Sequence, residues 1–262
     1  MVDSSFPFWH AAAAYLYALH LDGSGLAWEY LRRHPDYRRD WRRRRRRSDA
    51  AQHWGLRLLE DPDLDARDAH PAWFIDRAAV QLHPDADPSP DARAFRFWNL
   101  PGRKQLVHDG RCLRLAARCP DACLRLVLAP DLTDGMACVC AMRPDMAPSA
   151  AYRALVELGP LAMRASTPAG LALPRPGAAA LLELHTLRAL DATLAGASSR
   201  EVAAGLFGAA AVTRGWHADG GLRSRVRRLV RRGHVLMRGG YRRLARIDPT
   251  GQGRLVSRTK RP

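Results

Sequence analysis

Between Leu222 and Arg232 the chain carries six arginines, Arg223, Arg225, Arg227, Arg228, Arg231 and Arg232, and not one acid. A guanidinium fork breaks no bonds by itself. It donates paired hydrogen bonds to phosphate oxygens, or to O6 and N7 of guanine, so the chemistry these residues offer is recognition of a polyanion. Residue patterns for bond-making are missing from the sequence, which holds no triad, phosphate-binding loop or paired-carboxylate arrangement. His185, His217 and His234 are scattered singles, and Asp85 and Asp87 sit in a proline-rich loop. The expectation is a protein that is not an enzyme and needs no cofactor.

Such arginines act only if an element presents them together. At 100° per residue, Leu222, Val226, Leu229 and Val230 fall within about 100° of a helix circumference, the width of a face packed on a core. Arg223, Arg227 and Arg231 then run down one edge, Arg228 lies near the centre of the open face, and Arg225 and Arg232 line the other edge. Asp219 and Gly220 precede this helix and Gly233 ends it. A solvated outer face is the plain alternative to a DNA-reading one.

Upstream, Ser198 and Glu201 stand in the S-x-x-E relation of a capping box, which predicts a helix start. Val202, Ala203, Leu206 and Phe207 give that helix one apolar stripe, and Gly208 ends it. Ala209–Trp216 crosses to the basic helix, with Val212 and Trp216 as anchors, and is longer than a minimal helix-turn-helix turn. A scaffold helix over Ala178–Ala195 follows from Leu181, Leu184, Leu187, Leu190 and Leu194, closing at Gly196. Downstream, Val235–Arg238, Gly239-Gly240 and Tyr241–Arg246 suggest two short strands around a tight turn, a wing with Arg238, Arg242 and Arg243 at its tip.

Charge distribution agrees with a nucleic-acid partner. Of the formal +16, residues 179–262 contribute 12, with 17 Lys/Arg against 5 Asp/Glu. The bases are 40 Arg and only Lys104 and Lys260, a bias expected of GC-rich coding. That bias selects arginine over lysine but creates no excess of bases over acids, so the basic field still points to a polyanion. No stretch reaches the roughly 18 apolar residues of a membrane span, and Ala11–Leu21 lacks a basic leader. The expected location is cytoplasmic, without a membrane partner.

The N-terminal part reads differently. Gly25–Trp41 is a helix broken at His34-Pro35 and resumed, with Trp28, Leu31, Tyr37 and Trp41 inward and the arginines facing water. Arg42–Arg47 is an uninterrupted run, either an exposed helix end or an accessory phosphate contact. From Phe95 to Met142 the pattern turns β-like. Leu106-Val107 and Cys112–Leu115 flank Asp109-Gly110, while Cys123–Leu128 and Met136–Met142 flank Thr133-Asp134-Gly135, which predicts a small antiparallel sheet. Cys112, Cys119, Cys123, Cys138 and Cys140 match no zinc spacing and read as reduced and buried, with no metal site.

The expected organisation is an α+β domain over 1–148, a helix and Pro/Gly/Ala-rich connector over 149–178, a mainly α helix-turn-helix variant over 179–247 and a flexible basic tail over 248–262. LAWEYLRRHPDYRRDW at 26–41, with 184–208 and 222–244, resembles proteobacterial regulators of integrative and conjugative elements. The resemblance implies a cytoplasmic activator of excision or transfer genes that binds double-stranded DNA. It also implies an alternative, an adaptor or antiactivator whose C-terminal domain binds another regulatory protein. The expected DNA-binding residues are Arg223, Arg225, Arg227, Arg228, Arg231, Arg232, Arg238, Arg242 and Arg243. Nothing in the sequence sets the oligomeric state.

Overall fold

The computed structural model of the protein describes residues 8–44, 50–74, 79–90, 92, 94–100, 103–108, 111–118, 123–141, 177–217 and 220–245. The chain divides into two compact units, one joining 1–55 and 61–69 to 176–262, the other holding 56–60 and 70–175. This differs from the sequential division that composition suggests. The helix expected at 149–164, most of the connector, Arg45–Arg47, Asp219 and the tail lie outside the described residues.

The first unit is helical. A 3-10 helix at Ala12–His20 precedes α1 (Gly23–Leu31), α2 (Pro35–Arg42) and α3 (Ala50–His53). From the far end of the chain come α4 (Ala178–Leu194), α5 (Ser199–Phe207), α6 (Ala209–Gly215), α7 (Gly221–Val235), a π-helical turn (Leu236–Gly240) and α8 (Tyr241–Leu244). Asp22 caps α1 through Gly25 N–H at 2.7 Å. His34 caps α2 by accepting from Asp36 N–H at 3.1 Å, with Pro35 in the first turn where its missing N–H costs nothing. The break at His34-Pro35 is thus as the sequence indicates.

Helix α1 is the axis of this unit, because Ala27, Trp28, Glu29, Tyr30 and Leu31 are all buried. Such all-round burial means partners on every side. It packs on α4, on the π-helical turn and on α8. Tyr37 of α2 meets Trp28 and Trp54 edge-on, each with ring centroids 5.6 Å apart. At Gly205 an added Cβ would lie 2.5 Å from the Trp9 ring, so only glycine allows α5 to approach that indole.

Three expectations for the helical unit are corrected. Arg33 does not face water: its side chain is 8% exposed and forms a bidentate pair with Asp191 at 2.6 and 2.8 Å. The wing is also replaced by helix. Leu236, Met237, Tyr241 and Ala245 are buried at helical rather than alternating spacing, so residues 236–244 coil onto α1, kinked at Gly239 with φ 143°. Gly233, expected as a terminator, lies inside α7, where an added Cβ would sit 3.0 Å from Leu190 Cβ. Its missing side chain serves helix contact, not helix ending.

The second unit is built on a five-stranded sheet of β1 (Val80–Pro84), β2 (Arg103–His108), β3 (Leu113–Arg118), β4 (Cys123–Leu128) and β5 (Cys138–Ala141), in the order β2-β3-β4-β1-β5. Val80, Leu82, Leu115, Ala117, Leu124, Leu126 and Leu128 bury against Phe95, Leu100 and Leu132. The alternation in β3 and β4 is the period-2 signal of a sheet with one covered face. The pairing of β2 with β3 is as expected. The second hairpin is not, for β1 lies between β4 and β5, parallel to the first and antiparallel to the second. The Thr133-Asp134-Gly135 turn hydrogen-bonds Phe95 instead, through Gly135 N–H to its carbonyl and its own N–H to Met136. The described cysteines are also less covered than expected: Cys112 and Cys138 are half-buried and Cys140 is exposed, while Cys119 and the Cys123 side chain lie outside the described residues.

Candidate nucleic-acid interface

The capping box sets where the interface helices begin. Glu201 N–H donates to Ser198 Oγ at 3.3 Å and Ser198 N–H to Glu201 Oε2 at 2.7 Å, so α5 starts where the sequence says. Gly208, at φ 87°, turns the chain into α6, a helix where the sequence suggests only a crossing. Val212 of α6 is buried and Trp216 half-buried. The compact array of α5, α6 and α7 over α4 is a helix-turn-helix-like arrangement with an extra short helix.

Helix α7 lays Val226, Leu229 and Gly233 inward and leaves Arg225, Arg227, Arg228 and Arg231 exposed, with Arg223 half-buried. Its first turn holds no acid, so the positive end of the helix dipole is not offset there. Arg225 is steadied by Phe207 of α5, its guanidinium carbon 4.7 Å from the ring centroid. Nearby, burial first and then Arg225 and Arg188 hold the His185 imidazole below its usual range. Among the described residues no carboxylate pairs with Arg223, Arg225, Arg227, Arg228 or Arg231. Four unpaired guanidiniums on one exposed face repel each other and gain from a polyanion laid across them.

Other expected residues are placed differently. Arg232 turns inward to Glu183 of α4, whose other oxygen accepts from Tyr30 Oη at 2.6 Å. Arg242 donates to the His53 carbonyl and lies over Tyr241. Arg238 and Arg243 are exposed, but on the helical segment after α7 rather than on a hairpin tip. Arg238 lies close enough to His34 and His234 that, after burial, its charge helps hold both imidazoles below their usual range.

A buried ionic network behind α7 escaped the sequence reading. Arg33 joins Asp191 to Glu29, Tyr15 Oη donates to Asp191 at 2.6 Å, and Ala66 N–H donates to Glu29 at 2.6 Å. Burial pushes the Glu29 carboxyl up, but the Arg33 and Arg32 guanidiniums outweigh it and hold it below the ordinary carboxylate range. Burial, with Glu29 beside it, pushes the Tyr17 phenol up to about 12. The signal available was the W-E-Y-x-R-R spacing, which places Glu29 and Arg33 one helical turn apart. Arg188 crosses the same interior and donates to the carbonyls of Trp9, His10 and Gly205.

Among the described residues no group of His, Cys, Asp and Glu could hold a metal, and no helix is long and apolar enough to cross a membrane. No curated protein matches the chain. Residues 8–58 match the family described as a proteobacterial transcriptional regulator-like domain, and residues 77–124 match a domain of unknown function (DUF7011). Residues 142–246, which include the whole arginine-bearing array, match the family described as "T6SS, Transcription factor, DNA binding domain". These matches point to a regulator rather than an enzyme. The chain is therefore transcription-factor-like and DNA-binding in character, similar at its N-terminus to proteobacterial regulators and at its C-terminus to the DNA-binding domain of a T6SS transcription factor.

Proposed function

We propose that the protein is a sequence-specific regulator of transcription that lays α7 in the major groove of double-stranded DNA. The observation that carries this reading is the exposed set Arg225, Arg227, Arg228 and Arg231, paired with no carboxylate among the described residues, on a helix seated by Val226 and Leu229. Arg227, Arg228 and Arg231 have the reach and donor geometry to read guanine edges, and Arg223 and Arg225 flank them toward phosphates. Arg238 and Arg243 continue the basic field beyond the helix, whereas Arg232 and Arg242 hold the fold. A role on chromosomal DNA carries with it a cytoplasmic location.

Two likenesses bear on which genes it regulates. Similarity to regulators of integrative and conjugative elements favours activation of excision or transfer genes, and the T6SS match favours secretion-system genes. A genome-wide footprint of the tagged protein separates them. The binding mode is tested with a duplex chosen by in vitro selection: Arg227→Ala/Arg228→Ala should cost about 1–3 kcal/mol per lost base contact and relax preference at those positions. Unchanged affinity and preference in that variant would remove α7 from the groove.

A further inference from the structure

We propose that the C-terminal turn of α2 is a second phosphate-binding surface, gripping DNA backbone outside the stretch that α7 reads; it rests on the DNA-facing reading of α7. The two ends of α2 are treated differently. Before its final residue, Arg38 pairs with Asp63 at 2.6 Å and Arg39 with Asp36 at 2.7 Å. At its end, Arg42, Arg43 and Arg44 are all exposed, and among the described residues no carboxylate pairs with them. A helix C-terminus gains from a cation, but the effect is confined to the last turn and small. Three adjacent guanidiniums go beyond that need, and their mutual repulsion is relieved by phosphates.

The surface is also held in place. Arg44 donates to the Trp41 carbonyl at 3.0 Å and lies with its guanidinium carbon 3.8 Å from the Trp41 ring centroid, which orders one fork before any ligand arrives. Helix α2 is fixed in turn, for Tyr37 wedges against Trp28 and Trp54, and Trp54 Nε1 donates to Asp40 at 3.0 Å. The Trp54 carbonyl accepts from Tyr241 Oη at 3.1 Å, and Tyr241 opens the helix that follows α7. Arg238, downstream of the Arg223, Arg227 and Arg231 edge, is near enough to His34, the N-cap of α2, for its charge to act on that imidazole. The C-terminal turn of α2 and the basic face of α7 thus belong to one packed unit, joined through Trp54 and Tyr241, and two surfaces held in one unit suit a duplex longer than one half-site.

The test uses the full chain, a labelled random-sequence duplex of about 40 base pairs and a salt titration read by fluorescence anisotropy. Arg42→Ala/Arg43→Ala/Arg44→Ala should lower the slope of log affinity against log salt by about 2–3, near 0.9 per phosphate lost. Its preference for a selected site over the random duplex should stay as in the parent, and hydroxyl-radical protection should shrink at one flank. The corresponding triple lysine variant should restore the slope, which separates charge from misfolding. Arg39→Ala and Arg67→Ala remove equally exposed arginines that pair with Asp36 and Asp65, and should leave the slope unchanged. A parental slope in the triple alanine variant overturns the proposal and gives the run to solvent or to an acidic protein. If Arg227→Ala/Arg228→Ala loses site preference in that same experiment, the α7 reading stands while the α2 surface falls. If the parent shows no salt-dependent binding, both fall.

Discussion

Arg33 takes a full charge into the interior of the helical unit and is matched there by two carboxylates, Asp191 and Glu29, from opposite ends of the chain. Taking such charges from water is expensive, and a partner left alone costs more than the pair contributes. Asp191→Ala leaves Arg33 with Glu29 alone, which Arg32 shares, and removes the acceptor of Tyr15, so we expect a loss of about 3–5 kcal/mol in urea unfolding. Protonation gives a second handle. His34, His185 and His234 all sit below the ordinary 6.5, with burial the first cause in each. The unfolded chain then binds protons more readily, so their contribution is complete above pH 6.5 and declines as pH falls through the depressed folded values. Glu29 acts with the same sign at more acid pH, below its ordinary 4.5. Thermal unfolding midpoints should fall between pH 7 and 5, and a flat profile would contradict the depressed, half-buried imidazoles.

At the scale of elements, contact between α4 and α7 decides how the arginine face is presented. Gly233 is a point of close approach, where an added Cβ would meet Leu190 Cβ at 3.0 Å and the Thr186 carbonyl at 3.3 Å. Gly233→Ala raises helix propensity by about 1 kcal/mol, yet it places a methyl where neighbours must give way. The expected net result is destabilisation by about 1–3 kcal/mol from overpacking, with weaker DNA binding as α7 tilts. A stabilised variant with parental affinity would show that the interface yields at no cost. The same elements show what a sequence exposes to inspection. The Ser198–Glu201 box, the α4 stripe and the β2–β3 pairing were legible because each signal lies within a few residues of the structure it specifies. Helical 236–244 was not, since Gly239-Gly240 between short apolar stretches reads as a hairpin until α1 is present to bury Leu236, Met237 and Tyr241.

For the whole molecule, the helical unit is a composite of both chain ends. Tyr30 and Arg33 satisfy Glu183 and Asp191 of α4, and α1 covers the segment that follows α7. A fragment spanning residues 176–262 alone should therefore lack a cooperative thermal transition, and adding residues 1–69 in trans should restore amide-exchange protection in α4 and α7. Cooperative folding of the fragment by itself would show that the N-terminal helices are accessories. Local order alone determined α1, α2, α4, α5 and α7, the capping box at Ser198, the basic face of α7 and the alternation of the sheet strands, because period, charge and capping act over one or two turns. The tertiary structure alone decided which arginines stay open and which are spent inside. Arg232 with Glu183 and Arg33 with Asp191 are partners across 49 and 158 residues, brought together only when the chain closes on itself. The place of β1 between β4 and β5 was decided in the same way, because strand order depends on which edges meet and not on the residues within any one strand.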